Sequence, residues 1–315
     1  MLRVVVDSKE PEADIIAQAG SILRNGGLVA FPTETVYGLG ADAQNPDAVA
    51  KVYREKGRPS DNPLIWHGNC MEDFSSIADL SSDKARKLCE AFWPGPLTVV
   101  VPRCSNPALS LAIRVPSHPV TRALIAASGC FIAAPSANLS GRPSPTCAQH
   151  VVADFKGGSI DMLIDGGSTI NGLESTVVSF ISEIPKLLRP GAVTLEMLRD
   201  VIGEVECHNS ETAEESAPLS PGMKYRHYSP KAPLILIIGL PDAVSKKMEE
   251  YGPDAAILRT SNEDINVVAR TLFGRLRQFD NNEAPLILAE GVEEVGLGHA
   301  VMNRLKKAAA EVIYI

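Results

Sequence analysis

The 315-residue chain has no apolar run approaching the ~18 residues that a membrane-spanning helix needs. Residues 1–6 are too short for the apolar core of a signal peptide, and acidic residues follow at once. The expectation is a soluble cytoplasmic protein with no membrane partner. The six cysteines are scattered, and neither Cys-x-x-Cys nor His-x-x-x-His occurs. That weighs against a zinc site and a disulfide scaffold, so no metal-ligating residue is expected. A Walker-type Gly-x-x-x-x-Gly-Lys is also missing, so any ATP is held by another design. No nucleophilic triad, activated cysteine or internal repeat stands out. The chemistry expected is therefore positioning and charge stabilisation.

Charge of one sign is missing from one tract. Between Glu90 and Asp154 there is no acidic residue, while Arg103, Arg114, Arg122 and Arg142 all lie there. An acid-free tract bearing arginines suits a small polyanion. The whole chain carries a net charge of −8, which argues against gripping nucleic acid by bulk electrostatics. Weak RNA binding stays open as a partner reading.

Apolar residues make up 45% of the chain, enough for a proper core. Residues 2–6, 28–31, 64–67, 98–101, 111–115, 131–134, 175–180 and 186–189 read as strands. Residues 15–23, 46–54 and 194–202 read as helices, and Ser81-Ser82 opens another. Asn45-Pro46 is an N-cap followed by proline at the first helical position. Strands and helices mix without strict alternation. This predicts a twisted mixed sheet with packed helices in residues 1–203. Residues 204–218 are acidic and aperiodic, whereas 220–231 are basic and aromatic, and 204–231 read as a linker carrying an active-site lid. From residue 232 strands and helices alternate, predicting a small parallel α/β, Rossmann-like domain over 232–315.

Gly38-Leu39-Gly40-Ala41-Asp42-Ala43 matches a dinucleotide fingerprint in form only, because the strand–turn–helix context is missing. These glycines are expected in a turn. Lys56-Gly57-Arg58-Pro59-Ser60-Asp61-Asn62-Pro63 is different. Two cations on alternate residues of a stiff loop are preorganised for phosphoryl charge. Pro135-Ser136-Ala137-Asn138, followed by Gly141-Arg142-Pro143-Ser144, offers small donors and a close backbone approach. Arg114 lies inside an apolar strand and needs a carboxylate, either from the protein or from a substrate, because an unpaired buried charge is costly. Arg189 ends another strand under the same logic. His67 ends a strand beside the cationic loop.

Taken together, residues 32–40, 56–63, 136–138, 174–178 and 188–192 closely resemble the YrdC-like family. Pro221-Gly222-Met223-Lys224-Tyr225-Arg226-His227-Tyr228 and the C-terminal unit resemble its long form. The resemblance implies synthesis of L-threonylcarbamoyl-AMP from L-threonine, bicarbonate and ATP, with release of pyrophosphate. A downstream tRNA threonylcarbamoyl transferase system would then modify adenosine 37 of tRNAs. It implies Lys56 and Arg58 as catalytic cations. Lys56, Arg58, Asn62, Ser110, Ser136, Asn138, Ser144 and Arg189 would hold ATP, with Tyr228 closing over it. Thr35, His67, Arg114, Ala134 and Ser175 would hold threonine. Mg²⁺ would enter mainly on the ATP phosphates. Two rival readings are a double-stranded-RNA-binding module and a non-catalytic nucleotide or amino-acid sensor.

Overall fold

A computed structural model describes residues 1–207 and 228–315. In chain order the first unit holds β1 (Leu2–Val5), α1 (Ala13–Arg24), β2 (Val29–Phe31), β3 (Gly38–Asp42), α2 (Pro46–Lys56) and β4 (Ile65–His67). There follow α3 (Asp83–Phe92), β5 (Leu97–Arg103), β6 (Asn106–Arg114), α4 (Pro119–Ser128), β7 (Ile132–Ala133), α5 (Ala148–Asp154) and β8 (Met162–Asp165). The unit closes with β9 (Thr176–Ser179), β10 (Lys186–Arg189), α6 (Leu195–Ile202) and β11 (Glu206–Cys207). The C-terminal unit holds β12 (Leu234–Ile238), α7 (Pro241–Glu249), β13 (Ala256–Leu258), α8 (Ile265–Asn281), β14 (Ile287–Glu290), α9 (Leu297–Ala308) and β15 (Glu311–Tyr314).

The first unit is one mixed sheet in the order β1-β8-β2-β3-β7-β4-β6-β5-β9-β10-β11. Both parallel and antiparallel pairs occur, as the irregular alternation predicts. The second sheet runs β13-β14-β12-β15 and all its pairs are parallel. A mixed α/β fold with a small parallel C-terminal α/β unit is therefore what the chain adopts. Glu206 and Cys207 add an edge strand to the first sheet, within the stretch read as linker. Residues 208–227, which include most of the expected lid, lie outside the described residues.

Local chemistry places the loops. Asn45 accepts from the amides of Asp47 and Ala48 at the head of α2, and Gly57 ends the helix in the left-handed conformation (φ 58°). The cap stops α2 directly ahead of Arg58. Ser82 caps α3 in the same manner. Gly38 and Gly40 correct the sequence reading, because they lie in strand β3 rather than in a turn. A Cβ on Gly40 would stand 2.6 Å from both Phe31 and Ile132, so only glycine lets β3 seat against them.

The two units share a seam. The C-terminal core of Leu236, Leu272, Phe273, Val301 and Leu305 also takes in Val36 and Leu173 of the first unit. Two buried ion pairs cross the seam as well, Arg277 to Asp154 and Arg304 to Glu174.

Candidate active site

One cavity opens where the loop after β2 meets the ends of β4, β6 and β10 and the start of β9. Its wall includes Thr35, Arg58, His67, Arg114, Ala134, Ser136, Ser175, Arg189 and Tyr228. All five residues expected for threonine are on it, with four of those expected for ATP. Thr33, Val36, Gly38, Ile65 and Glu174 also line it.

Other expected residues stand behind the wall. The ammonium of Lys56 is buried and donates to the carbonyls of Ser136 and Asn138, while its own carbonyl accepts from Ser140 N at 2.8 Å. Lys56 thus ties the two cation-and-donor loops together. Burial, and then Arg58, pulls its pKa well below the ordinary lysine value. Asn138 accepts from the Ser136 hydroxyl at 2.5 Å and donates to the carbonyls of Leu139 and Arg142. The Ser144 hydroxyl donates to Glu174. Asn62 is buried, and its carbonyl accepts from Arg58 Nε at 3.2 Å. Ser110 is on β6 and shares a face with Arg114, four residues and about 13 Å along the strand.

Hydrogen bonds of the Thr33 side chain fix the loop over residues 32–37. The Thr33 hydroxyl accepts from the amides of Thr35 and Val36 and donates to the Val36 carbonyl at 2.6 Å. This side-chain turn presents Thr35 to Arg114, whose Nη1 donates to its hydroxyl at 3.1 Å. Arg114 also donates to Glu34 at 2.6 Å and to the Gly95 carbonyl at 3.2 Å. The carboxylate that the strand position demands is therefore supplied by Glu34. Burial works to raise the Glu34 pKa, yet Arg114 outweighs it and holds the carboxyl below the usual range.

His67 is buried, and Nδ1 lies 3.1 Å from the Ile132 carbonyl. A carbonyl only accepts, so Nδ1 carries the proton and Nε2 is left as an acceptor. Burial, followed by Arg114, lowers its pKa to about 4, so the ring is neutral near pH 7.

Arg58 and Arg189 share a different setting. Arg58 donates to the carbonyls of Asn62 and Pro63, at 3.2 and 3.1 Å. Arg189 donates to the carbonyl and the hydroxyl of Ser175, both at 3.0 Å. Both guanidiniums are buried against neutral oxygens, and burial pulls both below the ordinary arginine value, to about 10 at Arg58. Among the described residues neither forms a salt bridge, and a buried cation without its own carboxylate favours an incoming anion. Tyr228 lines the cavity beside Arg189, buried and with φ 66°, its ring 5.3 Å from that of Phe273. Ser229 N donates to the Gly141 carbonyl at 2.8 Å, which pins the chain just beyond it.

Among residues without an assigned role from the sequence are Glu174, on the cavity wall, and Arg304, which bonds to it from behind. Glu174 lies within the 174–178 motif, where the sequence alone points to no chemistry for it. Arg304 lies on the apolar stripe of α9, beside Val301, Leu305 and Ala308. A charge in such a stripe is the same signal that flagged Arg114.

Comparison with known proteins agrees with this geometry. Residues 21–191 match the Sua5/YciO/YrdC family model, described as telomere recombination. Residues 193–310 match the model described as threonylcarbamoyl-AMP synthase, C-terminal domain. A threonylcarbamoyl-AMP synthase of Bacillus subtilis is 45% identical, covering 97% of this chain and 96% of its own length. That of Pyrococcus abyssi is also 45% identical, with 92% and 93% covered. The crystal structure of Pyrococcus abyssi Sua5 complexed with L-threonine superposes with a TM-score of 0.94 at 42% identity, covering all of both chains.

Proposed function

The chain belongs to the Sua5/YciO/YrdC family in its two-domain form, and we propose that its cavity makes L-threonylcarbamoyl-AMP. The substrates are L-threonine, bicarbonate and ATP, and pyrophosphate is the second product. One observation carries the reading. A single cavity joins an amino-acid half, with Thr35, His67, Arg114, Ala134 and Ser175, to Arg58 and Arg189, whose hydrogen bonds go to neutral oxygens. The threonine-bound relative has the same overall fold.

The steps follow from the residues. The threonine amine and bicarbonate give the N-carboxylate and water. A carboxylate oxygen attacks the α-phosphorus of ATP, the bond to the β-phosphate oxygen breaks, and pyrophosphate leaves in line. Arg58 and Arg189 stabilise the charge that develops on the phosphates, as fixed donors do in phosphoryl transfer. Lys56 keeps the loops of Arg58 and Ser136 in register. The neutral His67 accepts a hydrogen bond from a proton-bearing group of threonine, and Arg114, its charge already met by Glu34, positions Thr35 toward the threonine carboxylate. Tyr228 excludes water from a carbamate that water would destroy.

ATP enters as its Mg²⁺ complex, and the donor set fits a metal carried on the phosphates. Glu174 is already bonded to Arg304 and Ser144, and no group of three or more His, Cys, Asp and Glu side chains is placed for a metal among the described residues. The product is a mixed anhydride, so a group-transfer system acting on tRNA would consume it. Among the described residues no helix is long and apolar enough to cross a membrane, and the cytoplasm supplies ATP and tRNA.

The test is pyrophosphate release by the full chain, with each substrate omitted in turn. Release is expected only when threonine, bicarbonate and ATP are all present. Equal release without threonine or without bicarbonate overturns the reaction. Tight, steeply salt-dependent RNA binding without any release would point to an RNA-binding module instead.

A further inference from the structure

Arg304 belongs to the C-terminal unit, yet its guanidinium ends at the cavity wall of the first unit. Its exposure is 0%. Nε donates to Glu174 Oε2 at 3.1 Å, Nη2 donates to the Glu174 carbonyl at 3.4 Å, and Nη1 donates to the Pro190 carbonyl. Its carbon Cζ lies 5.6 Å from the centroid of the Tyr228 ring. Three parts of the site therefore meet on one side chain: Glu174 on the wall, the carbonyl of the residue directly after Arg189, and the ring that closes the cavity. Glu174 passes the contact on, because its other oxygen accepts from Ser144.

We propose that Arg304 is a positioning residue for the nucleotide: by occupying Glu174 it leaves Arg189 free to meet the phosphates. The proposal rests on the nucleotide reading of the cavity given above. Removing Arg304 would leave Glu174 to find another partner. Glu174 is 6% exposed, and burial works to raise its pKa. Arg304 first and Arg189 second overcome that burial and keep the carboxyl ionised. Without Arg304 the remaining strong counter-cation is Arg189, which turns from Ser175 and the substrate toward Glu174. Lys307, one turn along α9, is a weaker substitute. Burial, then Arg304 and Arg189, already push its ammonium down to about 8. A buried carboxylate deprived of its partner recruits another, because leaving it bare costs more.

The experiment measures pyrophosphate release and calorimetric ATP affinity for the wild-type chain, Arg304→Met, Glu174→Gln and the double variant. Arg304→Met is expected to weaken ATP binding and raise the KM for ATP by about 10- to 100-fold, the ratio carried by one charged hydrogen bond. The KM for threonine should move little. Adding Glu174→Gln should recover most of the loss, since a neutral amide no longer draws Arg189 away. Loss of the buried ion pair lowers the melting temperature in either case, but a merely structural Arg304 would alter both KM values together and gain nothing from Glu174→Gln. That outcome overturns the proposal, as does a wild-type KM for ATP in Arg304→Met. If Arg304→Met does not fold, Arg304→Lys carries the test. It keeps the charge on Glu174 neutralised, so ATP affinity should stay near wild type, and an equal loss for both substrates overturns the proposal. Calorimetry scores Arg304 even if the wild-type chain releases no pyrophosphate, so failure of the reaction and failure of the positioning role are distinct results.

Discussion

Five arginines are buried among the described residues; Arg114 at the cavity pairs with Glu34, and the other four fall into two groups. Arg58 and Arg189 at the cavity are 9% and 5% exposed, while Arg277 and Arg304 at the seam are 7% and 0% exposed. Burial does not separate them, but their partners do. The seam arginines meet carboxylates, with Arg277 gripping both oxygens of Asp154 at 3.1 and 2.6 Å. Arg58 and Arg189 are held by carbonyl and hydroxyl oxygens. A buried cation with its own anion is complete, and removing either partner damages the fold. A buried cation held by neutral oxygens is oriented but not neutralised, and its missing charge comes from a ligand. The comparison therefore assigns Arg277 to stability and Arg58 and Arg189 to turnover, whereas Arg304, whose carboxylate stands on the cavity wall, serves both the seam and the site.

The largest expected effect is at the seam. Asp154→Ala strips the anion from Arg277 and also from Arg142, which lies 3.0 Å away. Loss of one partner from a buried pair of this type costs about 3–5 kcal/mol. Denaturant unfolding should show that loss, and pyrophosphate release per folded molecule should stay near wild type. A stable variant with poor turnover would reverse the assignment.

Arg58→Ala should give the opposite pattern. Its two hydrogen bonds to carbonyls contribute little to the fold, so the melting temperature should hold. Pyrophosphate release should fall by about 10²–10³-fold, the effect of deleting one preorganised donor. An active Arg58→Ala enzyme would show that the phosphates are met elsewhere.

Much of this division was legible in the sequence, and the exceptions have physical reasons. An arginine inside the apolar strand 106–114 must find a carboxylate, and it finds Glu34. The same rule applied to Arg304 on the apolar face of α9, but helical residues pass for surface unless the face is counted. Strand β3 was hidden because Gly38 and Gly40 resemble turn residues, and only Phe31 and Ile132 pressing on them explain their place in a strand. Helices α4 and α5 and strands β8 and β15 were not read at all. The cap of α4 is His118, whose ring nitrogen accepts from the Val120 amide, a less familiar cap than Ser or Asn. Motifs located the cavity but could not rank its members. Spacing does not tell that Arg58 reaches the wall while Lys56 braces two loops behind it.

The smallest expected effect tests whether the amino-acid half is as dry as its arginines imply. His67 titrates near 4 instead of 6.5, chiefly through burial and then through Arg114. The sign follows from linkage. Between pH 6.5 and about 4 the unfolded chain binds the proton and the folded chain does not, so stability falls as the pH drops through that window. Below about 4 both states hold the proton and the penalty stops growing. A displacement from 6.5 to about 4 corresponds to about 3 kcal/mol at most. His118 and His150 are also lowered, His150 to about 4, so the total slope is not His67's alone. The informative quantity is the difference between wild type and His67→Gln, whose amide still donates to the Ile132 carbonyl. That substitution should flatten the slope between pH 6.5 and 4 and leave it unchanged above pH 7. If the slopes coincide, His67 is reached by water, and the neutral imidazole cannot be the fixed acceptor in the threonine half.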